Sequence, residues 1–206
     1  MKKEIVDNKT GVPLEHYRKV YRECDPNEAS RRSAVPYSEE QTAFKLTLLG
    51  RDVQLMHPEL ELRAADNGEV LAPNATILIT RLVLEGKLEP FGGAYLAYNE
   101  MPWGDLYNSN FKGRCILRLA YGFGADLAKF EKACKALGAV PANVGDCSFD
   151  VEFIQGLYVR LILWAGDEEF PPSAQILFSD NFPAAWGAED MAVVGDILID
   201  ALKKIK

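Results

Sequence analysis

The chain has 206 residues, 48% hydrophobic and 26% charged, a composition that suits a folded globular protein and excludes extended disorder. Lysine and arginine number 23 against 30 aspartates and glutamates, a net charge of −7; with no basic stripe to displace phosphate counterions, nucleic-acid binding is not expected. No apolar run approaches the ~18 residues a spanning helix needs, and the opening MKKEIVDNKTG lacks the apolar core of a secretory signal, so the expectation is a cytoplasmic protein without membrane contact.

In chain order, a short flexible N-terminus over about residues 1–11 comes first. Leu14, Tyr17, Tyr21 and Cys24 then recur at i, i+3, i+7 and i+10, one face of a helix. DPNE at 25–28 follows, with Asp25 as cap, Pro26 at the first helical position and Glu28 completing a capping box. That short helix runs to about Ser33. FKLTLLG and RDVQLM read as two strands joined in a hairpin by the short Gly50-Arg51 link. ELELRAADNGEV alternates up to the turn at Asn67-Gly68. NATILITRLVLEG is apolar on most faces and reads as a buried helix ending at Gly86, with Arg81 and Glu85 four apart as its polar edge. GAYLAYNEM reads as a strand, WGDLYNSNF as a loop, and FKGRCILRLAYGFG as a helix weakened by Gly113. Leu127, Phe130, Cys134 and Leu137 form another helical face, stopped by Gly138. SFDVEFI, LYVRLILWA and SAQILFS are the last strands, and a final helix runs from about Ala188 to Ile205 with acids at its start and Lys203 and Lys204 at its end. Its apolar stripe is expected to pack on the sheet. Strands cluster in two groups without βαβ alternation. The fold class is therefore α+β, a mostly antiparallel sheet with packed helices, in one compact domain.

The chemistry is sparser. There is no G-x-S-x-G, no phosphate-binding G-x-x-x-x-G-K-[ST] and no H-E-x-x-H. YGFGADLAKF lacks the third small position of a dinucleotide fingerprint and follows a helix, so it reads as a turn between helices. Cys24, Cys115, Cys134 and Cys147 form no C-x-x-C, and His16 and His57 lie near none of them. Zinc and iron–sulfur ligation are not expected, and no metal or cofactor is assigned. No cysteine has a neighbour that would activate it as a nucleophile.

Two clusters are candidates for ligand binding. In WAGDEEFPP, Asp167, Glu168 and Glu169 join two strands, and Asp180 lies at the far end of the second. Oxygen ligands of this kind suit a hard cation. The plainer reading is a solvated hairpin tip, preferred because charged side chains are mostly exposed. In YNEMPWGDLY, Glu100, Trp103, Asp105 and Tyr107 set aromatic rings beside acids, a mix that can stack a planar or cationic ligand. The plainer reading has Trp103 plugging the core edge and Glu100 pairing with Arg114 or Arg118.

The order of DPNEASRRS, ILITRLVLEG, YNEMPWGDLY, FDVEFI, LILWAGDEEFPPSAQILFSD and the late AED resembles the uncharacterised family called domain of unknown function 3786, from about Asp25 to the C-terminus. The resemblance implies a source among anaerobic bacteria and archaea, in a setting near corrinoid or one-carbon redox metabolism. Some members of that family carry a cysteine-rich iron–sulfur module. This chain has none, so no cluster carries over. The leading expectation is a non-catalytic accessory or ligand-binding protein, with a small molecule or a protein as partner. The alternatives are a divalent-metal-dependent hydrolase built on Asp167, Glu168, Glu169 and Asp180, and a protein–protein adaptor. They require, respectively, converging acids and an exposed apolar patch.

Overall fold

The computed structural model describes residues 11–205; the N-terminus expected to be flexible falls on residues that, up to 10, lie outside it. The described chain divides into two contact units. One holds the residues up to 47 together with 51–88, the other 48–50 with the chain from 89 onward.

In the first unit, α1 (Gly11–Glu23) and α2 (Pro26–Ser33) meet at Asp25. Its carboxylate accepts from the N–H groups of Asn27 and Glu28 at 2.9 and 3.2 Å, which satisfies two donors a helix start would leave bare. Tyr21 is fully buried, and its hydroxyl donates to the Leu55 carbonyl. The strands are β1 (Tyr37–Ser38), β2 (Ala43–Leu48), β3 (Arg51–Met56) and β4 (Glu61–Ala64). β3 lies between β2 and β4. The link between β2 and β3 is Leu49-Gly50, both at positive φ, the pairing of dihedrals that matches strand twist; it falls one residue before the Gly50-Arg51 link expected from the sequence, because Arg51 already opens β3. α3 (Pro73–Leu84) buries Leu78, Ile79, Leu82 and Val83.

The second unit carries the functional questions. Its strands are β5 (Tyr95–Ala97), β6 (Val140–Pro141), β7 (Cys147–Ile154), β8 (Leu157–Trp164) and β9 (Ser173–Ser179). β8 lies between β7 and β9, β5 borders β9, and every one of these pairings is antiparallel. The apolar run of β8 is explained by this interior place: Leu157, Val159, Leu161, Ile162 and Leu163 are all buried. Pairing of β8 with β9 ends at Trp164 opposite Ser173, the first residue after two prolines that donate no ladder hydrogen bond.

The helices are α4 (Gly104–Phe111), a π turn (Lys112–Ile116), α5 (Leu117–Phe123), α6 (Leu127–Ala136), α7 (Phe182–Ala185) and α8 (Ala188–Lys204). α6 ends as the sequence predicts. Gly138 sits at φ 73°, and the N–H groups of Gly138 and Ala139 donate to the Lys135 and Cys134 carbonyls. α8 keeps Glu189 and Asp190 at its start and Lys203 and Lys204 at its end.

Two further expectations need correction. WGDLYNSNF is not a loop: it forms α4 and runs through the π turn into α5. Phe111 makes this possible, since it is buried and stacked on Tyr98 with ring centroids 4.0 Å apart; burial of one face outweighs weak local propensity. The strand read in GAYLAYNEM is only three residues long, because a 3-10 turn replaces it at Tyr98. α8 lies against α4, the π turn, α5 and α6.

Candidate functional site

The segment from Tyr95 to Gly104 is fixed at several points. Tyr98 donates from its hydroxyl to the Ala188 carbonyl at 2.6 Å. Glu100 accepts from the Ala97 N–H at 2.6 Å. Gly104 packs so tightly on the turn that a Cβ there would fall 1.9 Å from the Tyr98 carbonyl oxygen. Between these anchors Trp103 takes φ 64°, a left-handed conformation rarely adopted by a bulky residue and held only where its surroundings enforce it.

The expectation that Trp103 plugs the core edge is overturned, for its side chain is 77% exposed. Leu106 is 74% exposed and Tyr107 40%. The pairing of Glu100 with Arg114 or Arg118 is also overturned. Both arginines reach α8 instead: Arg114 bonds Asp196, and Arg118 bonds Asp196 at 2.8 Å and Asp200 at 2.6 Å. Asp105 is exposed in the first turn of α4, where a negative charge suits the helix dipole.

One side of α4–α5 faces the core through Phe111, Cys115, Leu119 and Phe123, all buried. The opposite side carries Leu106, Asn110, Gly113, Leu117 and Tyr121, all exposed; Leu117 is 41% and Tyr121 65% bare. Reading 104–111 as a loop hid this face. The signal was present, since Leu106, Leu117 and Tyr121 alternate in helical phase with Phe111, Cys115 and Leu119.

The acidic tip is organised differently. Asp167 bends the loop on itself, accepting from the N–H groups of Glu169 at 2.9 Å and Phe170 at 2.7 Å. These two bonds hold its carboxyl below the usual carboxylate range. Glu168 and Glu169 are exposed. Asp180 is not brought to them. It accepts from the N–H groups of Gly92 and Ala94 at 2.9 and 3.1 Å, and the seven residues of β9 set it about 23 Å from the tip. Among the described residues no group of three or more histidine, cysteine or acidic side chains is placed to hold a metal ion. The tip does border a recess of about 340 Å³ closed by Gly124, Ala125 and Pro172. The two glycine-bearing strings of the sequence thus meet here: a Cβ on Gly124 or Gly166 would lie 2.3 or 2.7 Å from the Pro172 ring.

Replacing Asp167 with Asn and Glu168 and Glu169 with Gln should therefore leave the melting temperature nearly unchanged, since Asn keeps the accepting oxygen. Asp167→Ala removes that oxygen and should lower the melting temperature. Millimolar calcium, magnesium or manganese should not stabilise the parent. A clear upward shift with one cation, lost in the triple variant, would reverse this assignment.

A further constellation escaped the sequence. Asp150 and Arg160 face each other across β7 and β8 in a bidentate pair of 2.7 and 2.8 Å, and the guanidinium lies 4.0 Å over the Tyr95 ring. Burial and then the Asp150 charge push the Tyr95 hydroxyl up to about 12. The three groups satisfy one another and tie β5 to the sheet. In the first unit a recess of about 480 Å³ is bordered by Glu23, Cys24, Asp25, Glu28, Arg32 and Glu85. Asp25 is occupied with capping, Arg32 donates to the Val83 carbonyl and Glu85 accepts from Tyr17. Burial raises the pKa of all four thiols, that of Cys115 to about 12. Among the described residues no helix is long and apolar enough to cross a membrane.

Residues 25–201 match the family described as a domain of unknown function (DUF3786). No curated protein and no solved structure matches the chain.

Proposed function

The chain belongs to the DUF3786 family, and from that premise we propose that it is a non-catalytic accessory domain that docks on a protein partner. The observation that carries this reading is the outer side of α4–α5, where Trp103, Leu106, Leu117 and Tyr121 are bare. Large apolar side chains gathered on one exposed surface mark interaction sites, and Trp and Tyr are the residues most often found at binding hot spots. The surface is rigid, because Trp103 is presented by a turn anchored at Tyr98, Glu100 and Gly104; little ordering entropy is lost on binding. The bordering Arg114 and Arg118 charges are already neutralised by Asp196 and Asp200, so covering them costs less than covering lone charges.

A photo-crosslinking amino acid placed at position 103, 106 or 121 tests this in extracts of the source cells. The expected result is one protein species, identified by mass spectrometry, captured from all three positions. Position 70 is the control, an exposed valine in the first unit. Capture from 103, 106 and 121 no greater than from 70 would remove the basis for a docking surface.

A further inference from the structure

We infer that the partner seated on the outer side of α4–α5 is a second copy of this chain, packed antiparallel with the two-fold axis at Gly113; this rests on the docking reading above. Gly113 is exposed in the π turn, and a Cβ built on it would meet nothing within 4 Å. The middle of the surface is thus bare backbone, where two helices can approach closely. About that point a large residue faces a small one, and two further apolar side chains lie near the same level. Leu117 lies four residues after Gly113 and Ser109 four before it; Tyr121 lies eight after and Leu106 seven before. An antiparallel pairing centred on Gly113 brings Leu117 of one copy over Ser109 of the other and Tyr121 over Asp105, next to Leu106. An isologous contact needs this self-complementarity, with residue i meeting j and j meeting i. Trp103, ten residues before the axis, comes level with residue 123 of the other copy, beside the recess bordered by Gly124, Ala125 and Pro172.

The area agrees with a weak dimer. From their exposures, Trp103, Leu106, Leu117 and Tyr121 leave on the order of 500 Å² bare per copy, given ~150–250 Å² for a whole aromatic side chain. Two copies with their polar rim reach about 1,200 Å², the lower end of specific interfaces. The two arginines flanking Gly113 and Leu117 add no unpaired charge to the contact, because both are paired within their own chain.

Sedimentation velocity of the whole chain across ~1–100 µM, where interfaces of this size associate, should show conversion of monomer to dimer. Gly113→Gln sets a long side chain at the crossing point, in space that is open in the monomer. It should raise the dimer dissociation constant by about tenfold or more while the dilute protein melts like the parent. Leu117→Ser should act in the same direction. A parent that stays monomeric throughout, or a Gly113→Gln dimer as tight as the parent's, overturns the self-pairing. The crosslinking experiment separates the two readings. Capture of a different protein from positions 103, 106 and 121 by a monomeric chain overturns the self-pairing and leaves the docking reading in place. Capture of nothing above the position-70 control overturns both.

Discussion

Leu198→Asp should abolish the folded state. Leu198 is fully buried in the middle of α8, and α8 lies against α4, the π turn, α5 and α6. An unpaired carboxylate there costs several kcal/mol, comparable with the whole stability of a domain, ~5–15 kcal/mol. Circular dichroism should show loss of the cooperative melt, and expression should shift toward the insoluble fraction. Because an insoluble variant is a blunt readout, Leu198→Ala gives the graded result. A buried Leu→Ala change costs ~2–5 kcal/mol, and in a chain of this size each kcal/mol shifts the midpoint by ~2–4 °C. Leu198→Ala should therefore melt roughly 5–20 °C below the parent. A variant within a degree of the parent would show that α8 is not docked as described.

Gly104→Ala should destabilise the protein and dismantle the presentation of Trp103. The new methyl would sit 1.9 Å from the Tyr98 carbonyl oxygen and 2.9 Å from its carbon, so backbone must move. Tyr98 cannot yield easily, since its hydroxyl is bonded to the Ala188 carbonyl and its ring lies flat on Phe111. Overpacking of this kind costs ~1–3 kcal/mol, a fall of roughly 3–10 °C in the melting midpoint. Crosslinking from position 103 should weaken in parallel. Gly113→Ala makes the internal contrast. Its Cβ is unobstructed, and alanine is favoured over glycine inside a helix by up to ~1 kcal/mol, so the dilute protein should melt at or above the parent's temperature. Equal effects at the two glycines would mean that close packing on Tyr98 does not govern Gly104.

The two groups of side chains singled out in the sequence met different fates. In WAGDEEFPP the reading as a hairpin tip rested on local features. Gly166 turns the chain, Pro171 and Pro172 withhold ladder hydrogen bonds, and β8 and β9 pair on either side. Asp167 is engaged by N–H groups only two and three residues away, so nothing distant was needed to settle its role. In YNEMPWGDLY the same kind of reasoning failed. Whether Trp103 faces the core or water depends on a left-handed turn enforced by Gly104 against Tyr98, and Tyr98 is in turn held by Ala188, ninety residues away.

That difference in range separates what the sequence alone determined from what only the tertiary structure decided. Asp25 as a cap, Gly138 as a helix stop, the alternating strands β7 to β9 and the α+β class follow from side-chain period and from caps and turns within a few residues, where the chain has few geometries to choose from. Arg114 pairing with Asp196 is a contact across 82 residues, and Asp180 bonding Gly92 is one across 88. Their partners are set by which elements the topology lays side by side, and many acids and amides are chemically equivalent candidates until it does. The helix over 104–111 belongs with them. Its Gly, Asn and Ser content argues against a helix by propensity, and it forms because Phe111 finds Tyr98 and Phe178 to pack on, a gain available only after the strands and α8 have placed those rings.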